Sequence, residues 1–293
     1  MTQRNVLCSN FIVQLFCLVD DFCIVLKKEN PLLGSIKGRK PSLTQGEVLT
    51  LGILFQLSQF KSLKSFYNLA DAHYRSYFPK LPSYQNFVNQ INSKSLLAAQ
   101  FLMILLNTQK SKDVEIQFVD STPLPVCKNK RINSHKVAKD LARRGVSSTG
   151  WFYGFKLHAV CDIHGNLLSI AITAGNVDDR KPLNELFKGL SGIAVGDAGY
   201  LSKDMQKAFL KQDIFLFTAG RNTMKKLMTP AQHALLKSRQ RIEISFNVLK
   251  NILGMVSSFP RSIAGHFSRY LFALLAYAIC SFSDNAFPQN SIS

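Results

Sequence analysis

The hydrophobic pattern of this chain changes period near residue 114, and few folds accommodate such a change. Up to about residue 110 the apolar residues recur at helical spacing. Phe11–Leu26 is apolar on nearly every side, which predicts a helix packed on several faces. Thr44 followed by Glu47 fits a capping box, where hydroxyl and carboxylate satisfy the first free N–H groups of a helix running through Phe55. Further helices are predicted at about Leu63–Tyr74 and, with Ser83 as N-cap, at Tyr84–Ile91. The polar set Tyr84, Gln85, Asn86, Asn89 and Gln90 fits either a helix-turn-helix reader of DNA or the solvated face of a helical bundle. A basic linker, Pro31–Pro41, interrupts this region.

Beyond residue 114 the pattern becomes that of strands. Val114–Val119 is a β-type apolar segment ending in Asp120. Phe152–Val160 and Leu167–Thr173 flank the turn signal His164-Gly165-Asn166 and predict a hairpin. Lys181–Leu190 and Lys203–Lys211 read as helices, and Ile193–Val195 and Ile214–Phe217 as strands. Thr229-Pro230 opens a long helix to about Leu253, with Pro at the first helical position. The expectation is an α/β catalytic domain over residues 111–283, a smaller all-α domain over 1–110, and a frayed polar tail over 284–293.

Charge narrows the partner. There are 36 Lys+Arg against 18 Asp+Glu, a net of +18, which favours a polyanion over a small neutral metabolite. Six scattered cysteines without a C-x-x-C pair argue against a disulfide framework or a cysteine zinc site. The longest apolar runs, Leu96–Leu106 and Leu271–Cys280, fall short of the ~20 residues of a membrane span. A soluble protein of the cytoplasm, with no membrane partner, is therefore expected.

Three acids could carry chemistry. Asp120 and Asp197 each end a predicted strand, where sheets present functional groups; a turn-capping role is the alternative for each. If the two strands are neighbours the carboxylates converge, and a divalent cation is the usual compensation for such crowding. Glu243 lies in the long helix four residues after Arg239 and seven before Lys250, so all three share a face. Oxygen-only ligands suit Mg²⁺ or Mn²⁺ and fit phosphoryl transfer with two such ions, Arg and Lys taking the phosphate oxygens. Asp178 and Asp179 are rivals, for which a turn or cap before the next helix is the competing role. Trp151 could stack on an unpaired base or begin a strand and fill core.

Phe118-Val119-Asp120-Ser121-Thr122, Gly196-Asp197-Ala198-Gly199-Tyr200 and Arg239-x-x-x-Glu243-(six residues)-Lys250 resemble the DDE transposases of bacterial insertion sequences. The acids follow one another at spacings of 77 and 46 residues, and the resemblance covers about residues 114–275. It implies a ribonuclease-H-like mixed sheet flanked by helices, with Asp120, Asp197 and Glu243 as catalytic, metal-binding triad. The family's helix motif, Y-x-x-R-x-x-x-E-x-x-x-x-x-x-K, has Leu236 at its Tyr position here. It further implies strand cleavage and strand transfer on double-stranded DNA, at terminal inverted repeats and into target DNA, by a homodimer at the bacterial nucleoid. A DNA-binding relative without catalysis and a structure-specific nuclease or resolvase are the competing functions.

The net charge also has a location. Lys128, Lys130, Arg131, Lys136, Lys139, Arg143 and Arg144 follow the first acid, and Arg221, Lys225, Lys226, Lys237, Arg239, Arg241 and Lys250 surround the last. That placement points to a phosphate backbone held beside the three carboxylates.

Overall fold

The computed structural model describes residues 7–29, 41–111, 114–148, 150–200, 202–218 and 228–282. The basic linker over 31–40, Arg221, Lys225, Lys226 and the tail over 284–293 lie outside the described residues. Two compact units emerge, one of residues 1–103 with 249–293 and the other of residues 104–248. The linear division at residue 110 is thus not the spatial one, because the C-terminal segment belongs with the N-terminal helices.

The helical unit contains α1 (Ser9–Glu29), α2 (Gln45–Leu57), α3 (Leu63–His73), α4 (Tyr84–Ser93), the first part of α5 (Ser95–Lys110) and α10 (Ile263–Phe282). Both bonds of the expected capping box form on α2: Thr44 Oγ1 accepts from the Glu47 amide at 3.1 Å, and Glu47 Oε2 accepts from the Thr44 amide at 2.6 Å. Ten residues of α2 are buried, Gly46 and the unbroken run Val48 to Gln56, so this helix is the centre of the unit. At Gly52 a Cβ would lie 2.3 Å from the Phe272 ring, so α10 packs onto α2 only because that position has no side chain. Ser83 makes no side-chain capping bond on α4, contrary to expectation. Residues 74–83 separate α3 from α4, longer than the three or four residues of a helix-turn-helix turn.

Helix α1 departs from the expectation of burial on several faces. Phe11, Ile12, Leu15, Val19, Phe22, Cys23 and Leu26 form one buried stripe, while Val13, Ile24 and Val25 are exposed. Phe22 stacks flat on Phe101, with ring centroids 4.2 Å apart. Among the described residues two helices, Ser9–Glu29 and Ile263–Ser281, are long and apolar enough to cross a membrane by length and composition. Counting uninterrupted apolar runs missed both, because Gln14, Asp20 and Asp21 break the first and His266, Ser268 and Arg269 the second.

The second unit is built on one six-stranded mixed sheet: β1 (Ile116–Pro125), β2 (Arg143–Ser147), β3 (Gly150–Asp162), β4 (Leu167–Ala174), β5 (Gly192–Gly196) and β6 (Ile214–Thr218). The path runs β2-β3-β1-β5-β6, with β4 paired to β3. The first half is antiparallel, while β1–β5 and β5–β6 are parallel. Helices α6 (Leu183–Leu186), α7 (Lys203–Leu210), α8 (Pro230–Ser238) and α9 (Gln240–Asn247) complete the unit. One core gathers Val119, Val160, Leu168, Leu186, Phe187, Phe209, Ile214 and Leu216. This is the mixed α/β sheet flanked by helices that the ribonuclease-H-like expectation required.

Candidate active site

Strand register sets the first two acids side by side. The parallel β1–β5 pairing runs from Ile116↔Ile193 to Phe118↔Val195 and stops there. Asp120 lies two residues beyond Phe118 and Asp197 two beyond Val195, so both stand level where the two strands part. Asp197 follows the end of β5, as expected, and its Oδ1 accepts from the Ala198 amide at 2.6 Å. Asp120 corrects the strand-end expectation: it sits in the middle of a ten-residue strand that continues through Pro125. Beyond Phe118 β1 is paired only with β3, so Pro123 and Pro125 can lack N–H donors without breaking a second ladder.

The third acid arrives from a helix. Arg239 forms the junction between α8 and α9, which the sequence presented as one long helix. Its guanidinium forks: Nη1 donates to Asp120 Oδ2 at 2.9 Å and Nη2 donates to Glu243 Oε1 at 3.0 Å. The same arginine therefore makes the predicted i,i+4 pair and ties it to β1. Lys250 lies in the other compact unit, in the π-type turn Val248–Ile252, so the seven-residue step from Glu243 is no longer two α turns. Burial lowers the Lys250 ammonium's pKa.

Electrostatics single out Asp120. Burial raises its carboxyl from 3.8 to about 6; the Ser121 amide and Arg239 pull it down, and the charges of Asp197 and Glu243 push it up. Its Oδ1 accepts from the Ser121 amide at 2.8 Å. Oxygen-only donors around a crowded, partly buried carboxylate fit a hard divalent cation in chemistry. Among the described residues no three acids, histidines or cysteines stand close enough to hold a metal ion together, and Arg239 supplies the countercharge between Asp120 and Glu243.

Asp120 and Asp197 line a pocket of about 600 Å³ with Tyr200, Lys156, Asp179 and Trp151. Burial, then the charge of Asp120, holds the Tyr200 phenol protonated well above its usual range. Lys156 escaped the sequence reading. Lys156 Nζ donates to Asp179 Oδ1 at 2.8 Å and to the Val177 carbonyl at 3.0 Å, anchoring the loop that forms one wall. A lysine inside an alternating strand was the available signal. Asp178 has the turn role weighed for it: Oδ1 accepts from the Arg180 amide at 2.9 Å, and Oδ2 from Arg180 Nη2 at 2.6 Å. Lys128, Lys130, Arg131, Lys136, Lys139, Arg143 and Arg144 are all exposed on the segment joining β1 to β3, and Arg241 is exposed on α9.

These features define an α/β domain whose acids gather where parallel strands separate and a helix arginine reaches across. A family model described as "Transposase DDE domain" matches residues 110–263, more than half of the chain. The chain belongs to that transposase family. No curated protein matches the sequence. Among solved structures, the cryo-EM structure of a piggyBac transposase synaptic complex with hairpin DNA is similar at a TM-score of 0.48 and 12% identity. That match covers 99% of this chain and 80% of that one.

Proposed function

We propose that this transposase cleaves DNA strands at the ends of a bacterial insertion sequence and joins the freed 3′-hydroxyls to target DNA, using divalent metal ions. The observation that carries this reading is the level placement of Asp120 and Asp197 across the parting strands, with Glu243 linked to Asp120 through Arg239. Asp120, Asp197 and Glu243 are the catalytic and metal-binding acids of this proposal. Two Mg²⁺ or Mn²⁺ ions would supply countercharge, acidify the attacking water or 3′-hydroxyl and stabilise the leaving oxygen.

The chain's own groups do the rest. Arg239 bridges Asp120 and Glu243 and screens their like charges, and its fork would be released to a phosphate if bound cations supplied that countercharge instead. The exposed bases Lys128, Lys130, Arg131, Lys136, Arg143, Arg144 and Arg241 grip the phosphate backbone, with Lys250 as a further point charge. The helical unit reads the terminal inverted repeats, and a homodimer holds two double-stranded ends together in the bacterial cytoplasm, at the nucleoid.

The test is strand cleavage with Mg²⁺ on duplexes carrying the element end, comparing the unaltered chain with Asp197→Asn and Glu243→Gln. Loss of both cleavage and strand transfer, with salt-sensitive DNA binding retained, is expected. Undiminished cleavage by either variant overturns the triad. A second reading, DNA binding without catalysis, draws on the Arg239 bridge that engages two of the three acids. Tight duplex binding by the unaltered chain with no metal-dependent cleavage would select it.

A further inference from the structure

Trp151 is the single tryptophan of the chain, and it is 63% exposed. An indole gains more from burial than almost any side chain, so leaving it in water is costly unless a ligand covers it. The local fold fixes this outcome. A Cβ on Gly145 would lie 2.1 Å from the Gly175 carbonyl oxygen and 2.8 Å from the Phe152 ring. Glycine there lets two backbones meet and seats Phe152, only 6% exposed, over them. Alternation along β3 then sends Trp151 to the other side of the hairpin. Asn129 Nδ2 donates to the Trp151 carbonyl at 2.7 Å and fixes the backbone that carries the indole.

The surroundings are those of a nucleotide site. Val146 pairs directly with Trp151 and is also exposed, so the two make an apolar step at the hairpin end. Arg144, two residues back on the same side of β2, lines the same pocket as Trp151, Asp120 and Asp197. The other cations of that pocket are engaged, Lys156 with Asp179 and Arg180 with Asp178. Arg144 forms no ion pair with any described residue and is exposed. An aromatic face and an uncommitted guanidinium beside the carboxylates match the two ends of one nucleotide, its base and its phosphate.

We propose that Trp151 and Arg144 form a subsite for an unpaired nucleotide of the DNA strand being processed. The base stacks on the indole and the adjoining phosphate binds the guanidinium. The inference rests on the reading of the chain as a DNA-cleaving transposase and goes further by naming the form of DNA the pocket takes. Paired bases are stacked within the duplex, so the subsite selects a frayed or overhanging end.

The fluorescence of the single tryptophan makes the test direct. The full chain, in EDTA so that no strand is cut, is titrated with a blunt duplex, the same duplex bearing a short thymidine overhang, and that overhang with abasic residues. The thymidine overhang is expected to quench Trp151 and to bind about tenfold more tightly than the abasic one, which is within the range that stacking one base on an aromatic contributes. Trp151→Ala should abolish the preference, so that all three probes bind alike by anisotropy, and Trp151→Phe should keep part of it. Equal quenching by the abasic overhang, or a preference that survives Trp151→Ala, overturns the subsite. Overhang preference in a chain that never cleaves overturns the catalytic reading alone. Cleavage without overhang preference overturns the subsite alone.

Discussion

Replacing Asp120 by Asn is expected to make this protein more stable while silencing it. The Asp120 carboxyl is raised from 3.8 to about 6 by burial first and by Asp197 and Glu243 after that. A raised carboxyl means the native state binds its proton more tightly than the unfolded chain does. The penalty is therefore absent below about pH 4, grows as pH climbs through the window to about 6, and is complete above it. A rise of about two units at roughly 1.4 kcal/mol each gives about 3 kcal/mol at pH 7.5 and about half of that at pH 5. The side chain is 23% exposed, so solvent screening removes little of this. Asn keeps the acceptor for the Ser121 amide, and Arg239 keeps Glu243. In EDTA, thermal unfolding of Asp120→Asn should show a melting temperature roughly 6–12 °C higher at pH 7.5, with the gain halved at pH 5. A variant no more stable than the parent, or a gain independent of pH, would refute the account of crowded, desolvated acids.

Removing the guanidinium by Arg239→Ala should push the Asp120 carboxyl higher still, because a charge that lowers it is gone; a ¹³C NMR titration of that carboxyl reads the shift. Arg269 is 6% exposed and donates to the Gly254 and Lys61 carbonyls and to Ser257 and Ser258. Arg269→Ala strands those acceptors and should cost about 3 kcal/mol in urea unfolding of the helical unit. Gly52→Ala drives a methyl into the Phe272 ring and should lower stability by about 1–3 kcal/mol, seen as a lower thermal midpoint.

What the sequence made legible was local. The Thr44–Glu47 box announced α2, and Thr229-Pro230 announced the start of α8, because a helix start is written in a few adjacent residues; that Gln232 closes a second capping box there is the structure's addition. Asp197 after Gly196 and the Arg239–Glu243 spacing were readable for the same reason. The course of β1 was not: Ser121-Thr122-Pro123 looks like a loop, and only the absence of a partner on one side permits proline there. Strand β2 stayed hidden because Arg143, Arg144 and Gly145 carry no alternating apolar face; its pairing with β3 makes it a strand. The continuous helix failed at Arg239, where reaching Asp120 across 119 residues decides the local geometry. The return of α10 to the N-terminal helices depends on Gly52 meeting Phe272, a contact between distant residues that no local pattern encodes.

That return makes the order of synthesis matter. The sheet-bearing unit is one uninterrupted stretch, residues 104–248, and all of it is synthesised before α10. The N-terminal helices emerge first yet wait longest, since the seat around Gly52 on α2 stays empty until Phe272 has been translated. A nascent chain therefore carries its whole sheet-bearing half before its helical half is complete. A copy of the gene interrupted anywhere between codons 250 and 262 yields a sheet with all three acids, joined to helices that have lost their capstone.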